Sequence, residues 1–251
     1  MNILKEKLKD NEAVNGCWLN TGSAINAEIV GQAGFDWALI DLEHGVFTEE
    51  KLPSLLQALN GSDTVPLVRV EGLIRQRAGR VLDMGVGGLM FPQIQDAKEA
   101  REVVSFMKYP PEGKRGMAIM VRATGFGKGF KDYYENGKDH VLGIVQIETP
   151  GALDQIDEIA STDGVDVLFV GPSDLTLSMG IFRQFDHPDY LAALEKVGHA
   201  ARKAGKAAGI LMGNPAEYGK YYDLGFRMLG CGSDSVFVSE GASRLLEQMR
   251  Q

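Results

Sequence analysis

Eight short apolar runs, each followed by a segment of helical periodicity, leave this chain few folds to choose from. The runs are Gly16–Asn20, Trp37–Leu42, Pro66–Val70, Gly88–Pro92, Val141–Glu148, Asp166–Gly171, Ala208–Met212 and Arg227–Gly230. They are rich in Val, Ile, Leu and Met with little alternation, the pattern of parallel strands covered on both faces. Between them lie helical patterns: Ala24–Ala33, Glu49–Leu59, Ile74–Met84, Asp96–Met107, Ala152–Ala160, Pro188–Lys203, Pro215–Leu224 and Ser235–Met249. Asp96 opens its helix as a cap, with Glu99 three positions on. Gly34, Gly85, Gly205 and Gly225 stand where helix C-termini favour glycine. Eight such units fill a closed (β/α)8 TIM barrel without remainder, and a doubly wound sheet is the rival. A chain of 251 residues suits one barrel domain spanning 1–251. The one long irregular stretch, Tyr109–His140, carries Pro110, Pro111 and several glycines, and is expected as a loop over one mouth of the barrel.

Charge narrows the function. With 26 basic and 34 acidic residues the net charge is −8. A nucleic-acid binder needs a basic stripe to neutralise phosphates, so nucleic acid is not an expected partner, and anionic membrane surfaces are disfavoured. An anionic substrate must then be held by a few local positive charges or a bound metal. Two cysteines, Cys17 and Cys231, cannot form a disulfide framework. The first residues carry charges where a signal peptide needs an apolar run, and no stretch is long and apolar enough to span a membrane. A reduced, cytoplasmic protein is expected.

In a barrel the active site gathers at the C-terminal ends of the strands. Strand two ends Asp41-Leu42-Glu43-His44, strand three Val68-Arg69-Val70, strand five Gln146-Ile147-Glu148, and strand six Gly171-Pro172-Ser173-Asp174. These groups, scattered in sequence, converge on one mouth. Glu148 and Asp174, on adjacent strands, are candidate ligands for a hard divalent cation; each could instead serve a helix start. His44 is either structural or a proton-transfer group whose ring Asp41 or Glu43 orients. Arg69 is either an internal ion-pair partner of Asp41 or Glu43, or a clamp for a substrate carboxylate or enolate oxygen. The candidate strands hold no interior lysine, so a Schiff-base nucleophile is lacking and carbonyl activation falls to a metal. Cys17 and Cys231 read as small buried thiols. Gly125–Gly129 reads as a mobile lid. Gly230-Cys231-Gly232-Ser233-Asp234 is placed where many barrels hold phosphate, but Asp234 argues against that.

Phe35-Asp36-Trp37 through Asp41-Leu42-Glu43-His44, then Val68-Arg69-Val70, Tyr109–Gly116, Val145–Thr149 and Val170–Leu175, taken in order, resemble the metal-dependent pyruvate aldolases of the HpcH/HpaI family. That group includes 4-hydroxy-2-oxoheptanedioate aldolase and 2-dehydro-3-deoxyglucarate aldolase. The likeness runs from about Gly16 to the C-terminus. It implies a barrel whose last helix packs on a neighbouring subunit, usually within a hexamer built as a trimer of dimers. It implies a divalent metal (Mg²⁺, Mn²⁺ or Co²⁺) on Glu148 and Asp174, with pyruvate oxygens completing the coordination. Gln146, Ser173 and Asp174 would position pyruvate, Arg69 would bind its keto or enolate oxygen, and His44 would move the proton. Asp83 matches an aspartate that in such enzymes reaches the histidine of an adjacent subunit. The expected reaction is reversible cleavage of a 4-hydroxy-2-oxo acid to pyruvate and an aldehyde through the enolate of pyruvate. Such enzymes commonly read Asp-Gly-Glu-His then Ala-Pro. Here Leu42 and Gly45-Val46 depart from that, as does Met117–Phe130, and these positions are expected beside the aldehyde half. Alternatives are an oxaloacetate decarboxylase, a citrate-lyase β-like enzyme, or a catalytically silent barrel.

Overall fold

A computed structural model describes residues 2–250; Met1 and Gln251 lie outside the described residues. Eight parallel strands close on themselves in sequence order: β1 Val14–Leu19, β2 Trp37–Asp41, β3 Val65–Arg69, β4 Gly88–Phe91, β5 Leu142–Ile147, β6 Val167–Val170, β7 Ala207–Met212 and β8 Phe226–Ser233. The helices in chain order are α1 Ile3–Lys9, α2 Ala24–Gln32, α3 Leu52–Leu59, α4 Arg75–Asp83, α5 Ala97–Met107, α6 Phe130–His140, α7 Pro150–Asp154, α8 Ile156–Ala160, α9 Pro172–Ser178, α10 Pro188–Lys203, α11 Tyr218–Asp223 and α12 Asp234–Met249. The chain is therefore a (β/α)8 barrel.

Local chemistry sets many of the helix starts. Ser23, Asp96, Thr149 and Ser233 each accept a backbone N–H from the first turn that follows. Side chains alternate across each strand, so two apolar layers form. Leu39, Leu67, Ile144 and Phe169 fill the barrel interior, while Ile40, Val68, Val145 and Val170 face the helices. Trp18 stacks edge-on against Trp37 at 5.6 Å and lies 5.6 Å from Phe169, an aromatic plug across the barrel. Glycine makes room for it: a Cβ at Gly16 would fall 2.1 Å from the Trp37 ring, and one at Gly209 2.4 Å from Phe169.

Several expectations need correction. Residues 130–140 of the expected irregular stretch form α6, and α1 was not anticipated. The Tyr109–His140 segment also does not cover the mouth where the strands end. Arg122 donates to Met84 O at 2.8 Å and to Asn60 at 3.2 Å, both just past the ends of α4 and α3. Asn2 at the head of α1 bridges Gly87 O and His140 O, where β4 and β5 begin. The segment therefore lies at the N-terminal face. The cause is topological, because a connection leaving a helix starts where the chain returns to the strand N-termini. The last helix is placed unusually as well. Beyond its first turn α12 is exposed along its length, with Phe237, Val238, Leu245, Leu246 and Met249 turned to solvent.

Candidate active site

Alternation along four strands builds the floor of the site. Leu39 and Leu67 point into the barrel, so Asp41 and Arg69, two residues on, do too, and they are paired across the β2–β3 ladder. In β5, Ile144 points inward, which sends Gln146 and then Glu148 the same way. Asp41, Arg69, Gln146 and Glu148 are all buried.

These groups form one bonded chain. Arg69 donates from Nε to Asp41 Oδ1 at 2.9 Å and from Nη2 to Asp41 Oδ2 at 2.7 Å, a two-pronged pair. Its Nη1 lies 2.9 Å from Glu43 Oε2 and 3.5 Å from Gln146 Oε1. Gln146 Nε2 in turn donates to Glu148 Oε1 at 2.7 Å, and the Gln93 backbone N–H reaches Glu148 Oε2 at 3.2 Å. Burial disfavours the Arg69 charge, yet the hydrogen bond from Asp41 and the surrounding carboxylates hold its pKa above the ordinary value. Burial, against the pull of Arg69, pushes the Glu43 carboxyl up.

Glu148 is the electrostatic anomaly. Burial and the neighbouring Asp174 carboxylate push its pKa up to about 8. It caps no helix, because Thr149 Oγ1 takes the Ala152 N–H at 3.1 Å and does that work for α7. Gly171 is what seats it: a Cβ there would lie 2.0 Å from Glu148 Oε1. Asp174 is half-buried in the first turn of α9, whose start has no side-chain cap. Among the described residues no group of three or more His, Cys, Asp or Glu side chains is placed to hold a metal ion. Glu148 and Asp174 offer two hard oxygen donors, enough for a cation that takes its other ligands from water and substrate.

His44 sits higher, on the turn after β2, and is exposed. Its backbone N–H and that of Glu43 donate to Asp41 Oδ1 at 3.3 and 3.1 Å, while Val46 N–H donates to Asn20 O at 3.1 Å. The His44 Nε2 is 3.9 Å from Glu43 Oε2. The ring is thus near Glu43, and Asp41, expected to orient it, spends both oxygens on Arg69 and holds only the backbone of the turn. Asp83 is elsewhere. It ends α4 on the N-terminal face, and Arg115 Nη2 donates to it at 2.7 Å within the same chain. It does not reach its own His44, for the topological reason that places Met117–Phe130 there too. That loop therefore does not line the acceptor side of its own site.

The cavity above this floor encloses about 540 Å³ and is bounded by the ends of β1, β6, β7 and β8, with Ser173, Leu211, Met212 and Ser233 in its walls. None of the eight strands contains a lysine. Cys17 is buried with its thiol pushed up to about 12 by that burial, which leaves it a poor nucleophile. Sequence reading missed Gly171 as the seat of Glu148; the Gly-Pro-Ser-Asp run at the end of β6 was its visible sign. It also missed Arg183, on the loop after α9.

A sequence profile of the HpcH/HpaI aldolase/citrate lyase family matches residues 15–240. The hydroxypyruvate/pyruvate aldolase of Paraburkholderia phytofirmans is 38% identical, with 99% of this chain and 98% of the relative aligned. The 4-hydroxy-2-oxo-heptane-1,7-dioate aldolase of Salmonella dublin is 36% identical over 97% of this chain and 93% of its own length. Among solved structures, an HpcH/HpaI aldolase/citrate lyase family protein from Burkholderia cenocepacia J2315 superposes with a TM-score of 0.95. It is 36% identical and covers 100% of both chains.

Proposed function

This chain belongs to the HpcH/HpaI aldolase/citrate lyase family, and from that premise we propose that it is a divalent-metal-dependent aldolase that reversibly splits a 4-hydroxy-2-oxo acid into pyruvate and an aldehyde. The observation that carries this reading is the bonded run Asp41–Arg69–Gln146–Glu148, ending beside Asp174 at the inner end of the cavity. Two hard carboxylates, one of them holding its proton to about 8 for want of a nearby positive charge, fit Mg²⁺, Mn²⁺ or Co²⁺. A cation bound there would supply Lewis-acid polarisation of the 2-oxo acid's oxygens.

The chain's own groups account for the rest. Arg69, locked by Asp41 and Glu43, keeps a donor aimed at the oxygen on which enolate charge develops, and needs no reorganisation as the charge appears. Gln146, fixed between Arg69 and Glu148, and Ser173 position the pyruvate half. His44 takes the proton of the 4-hydroxyl as the bond between carbons three and four breaks. The electron pair of that bond passes to carbon three, forming the enolate, and the aldehyde is released. Protonation at carbon three completes pyruvate, and the reverse sequence adds pyruvate to an aldehyde.

Assembly belongs to the same proposal. The solvent-facing apolar side of α12 and the exposed Ile119, Met120 and Phe126 on the N-terminal face are surfaces a second copy would cover. A hexamer would satisfy both and would let Asp83 of one copy meet His44 of another. Among the described residues no helix is long and apolar enough to cross a membrane, and we place the enzyme in the cytoplasm.

The test is deuterium exchange into the methyl group of pyruvate, followed by NMR, on EDTA-treated protein before and after adding each cation. Exchange that appears only with a cation supports the reading. Absence of exchange with every cation, with and without added aldehyde, overturns it.

A further inference from the structure

The inner half of the cavity is spent on pyruvate, and its volume of about 540 Å³ exceeds what a three-carbon acid needs. What the outer half offers decides which aldehyde fits. Three basic side chains line the cavity: Arg69, His44 and Arg183. Arg69 is neutralised twice, by Asp41 and Glu43. His44 already neighbours Glu43. Arg183 makes no ion pair or side-chain hydrogen bond among the described residues.

Its backbone is as unusual as its isolation. Arg183 has φ of 57°, a left-handed conformation that costs a side-chain-bearing residue roughly 1–2 kcal/mol and that glycine adopts freely. The conformation is enforced: Thr176 Oγ1, fully buried in α9, accepts the Arg183 N–H at 3.1 Å and donates to Pro172 O at 2.7 Å. The helix that carries Ser173 and Asp174 therefore also holds Arg183. A strained, tethered and unpaired arginine at the rim of a catalytic cavity is where function, rather than packing, accounts for the residue.

Resting on the aldolase reading, we infer that Arg183 selects the acceptor, and that the preferred aldehyde carries an anionic group at the end remote from its carbonyl. Glu217 and Glu240 line the opposite wall, from the loops around β7 and β8, and repel such a group from that side. Together they leave the anion one place, at the loop after α9. An aldehyde ending in a methyl group gains nothing from Arg183.

Succinic semialdehyde and butanal share a four-carbon chain and differ in ending in a carboxylate or a methyl. Both are offered to the cation-loaded enzyme with pyruvate, and kcat/KM is measured for each. The wild type is expected to prefer the semialdehyde. In R183Q and R183G the semialdehyde-to-butanal ratio of kcat/KM is expected to fall by ~10- to 100-fold, the scale of one lost charge-assisted hydrogen bond. The fall should be carried by KM for the semialdehyde. R183G keeps the left-handed backbone without strain, and R183K should recover part of the preference. An unchanged ratio in both variants, or a wild type with no preference, overturns the inference while the aldolase reading stands. It also falls if both acceptors suffer equally, since Arg183 would then act by closing onto Glu217 or Glu240. Wild-type protein that exchanges no pyruvate deuterium overturns the aldolase reading and this inference with it.

Discussion

The inner half of the mouth stands on strands, whereas its outer half hangs on loops, and the two differ in almost every physical respect. Arg69, Gln146 and Glu148 are buried, bonded to one another, and fixed in direction by the inward–outward alternation of β3 and β5. His44, Arg183 and Glu217 are exposed and reach the cavity from turns. A strand-end carboxylate has one place to go, while a loop residue depends on tethers such as Asp41 under the His44 turn or Thr176 under Arg183. The fixed half suits the part of a substrate shared by all reactions of the family. The tethered half suits the part that varies.

The largest break in that comparison should come from the donors at the inner end. Replacing Glu148 or Asp174 with Ala should cut cation-dependent pyruvate exchange at least ~1000-fold while circular dichroism stays native. Retained turnover in either variant would remove the cation from these two residues. Next is Arg69→Ala, expected to lower kcat by ~100-fold or more. The same change strands the carboxylates of Asp41 and Glu43, so a stability loss of about 3 kcal/mol should show in denaturant unfolding. A fall in affinity alone would make Arg69 a substrate clamp with no part in the developing charge.

Gly171→Ala tests whether the inner half is as rigid as its bonding implies. The added methyl must displace the Glu148 carboxylate, and a displacement of about 1 Å should cost on the order of 100-fold in turnover. The smallest effect is on pH. Glu148 in the folded, cation-free protein holds its proton up to about 8, against 4.5 as its ordinary value. Its contribution to stability is therefore complete below the ordinary value and is lost as pH rises through about 8. Cation-free protein should melt lower at pH 8.5 than at pH 6, and a divalent cation, which displaces that proton, should raise the melting temperature more at the higher pH. Glu148→Gln should flatten the difference.

The same division explains what could be read from sequence. The eight apolar runs, and the carboxylates, arginine and histidine at their ends, were legible because a parallel strand covered on both faces leaves a nearly continuous apolar signature that stops where the polar site begins. The role of Asp41 was not legible: two residues from the ring it was expected to hold, it turns inward to Arg69, and only the pairing of β2 with β3 decides that. Tyr109–His140 was misplaced although a signal was present, since it follows a helix and so belongs to the opposite face. Arg183 gave no signal, because left-handed backbone at an arginine leaves no trace in residue type.

The plug of Trp18, Trp37 and Phe169 has a kinetic consequence. It closes the barrel beneath Glu148, so everything that enters the site must leave by the same opening. The aldehyde, formed on the outer side, stands between pyruvate and bulk water. Cleavage is then ordered, with the aldehyde departing first and pyruvate last, and pyruvate is the product that competes with the incoming substrate for the free enzyme.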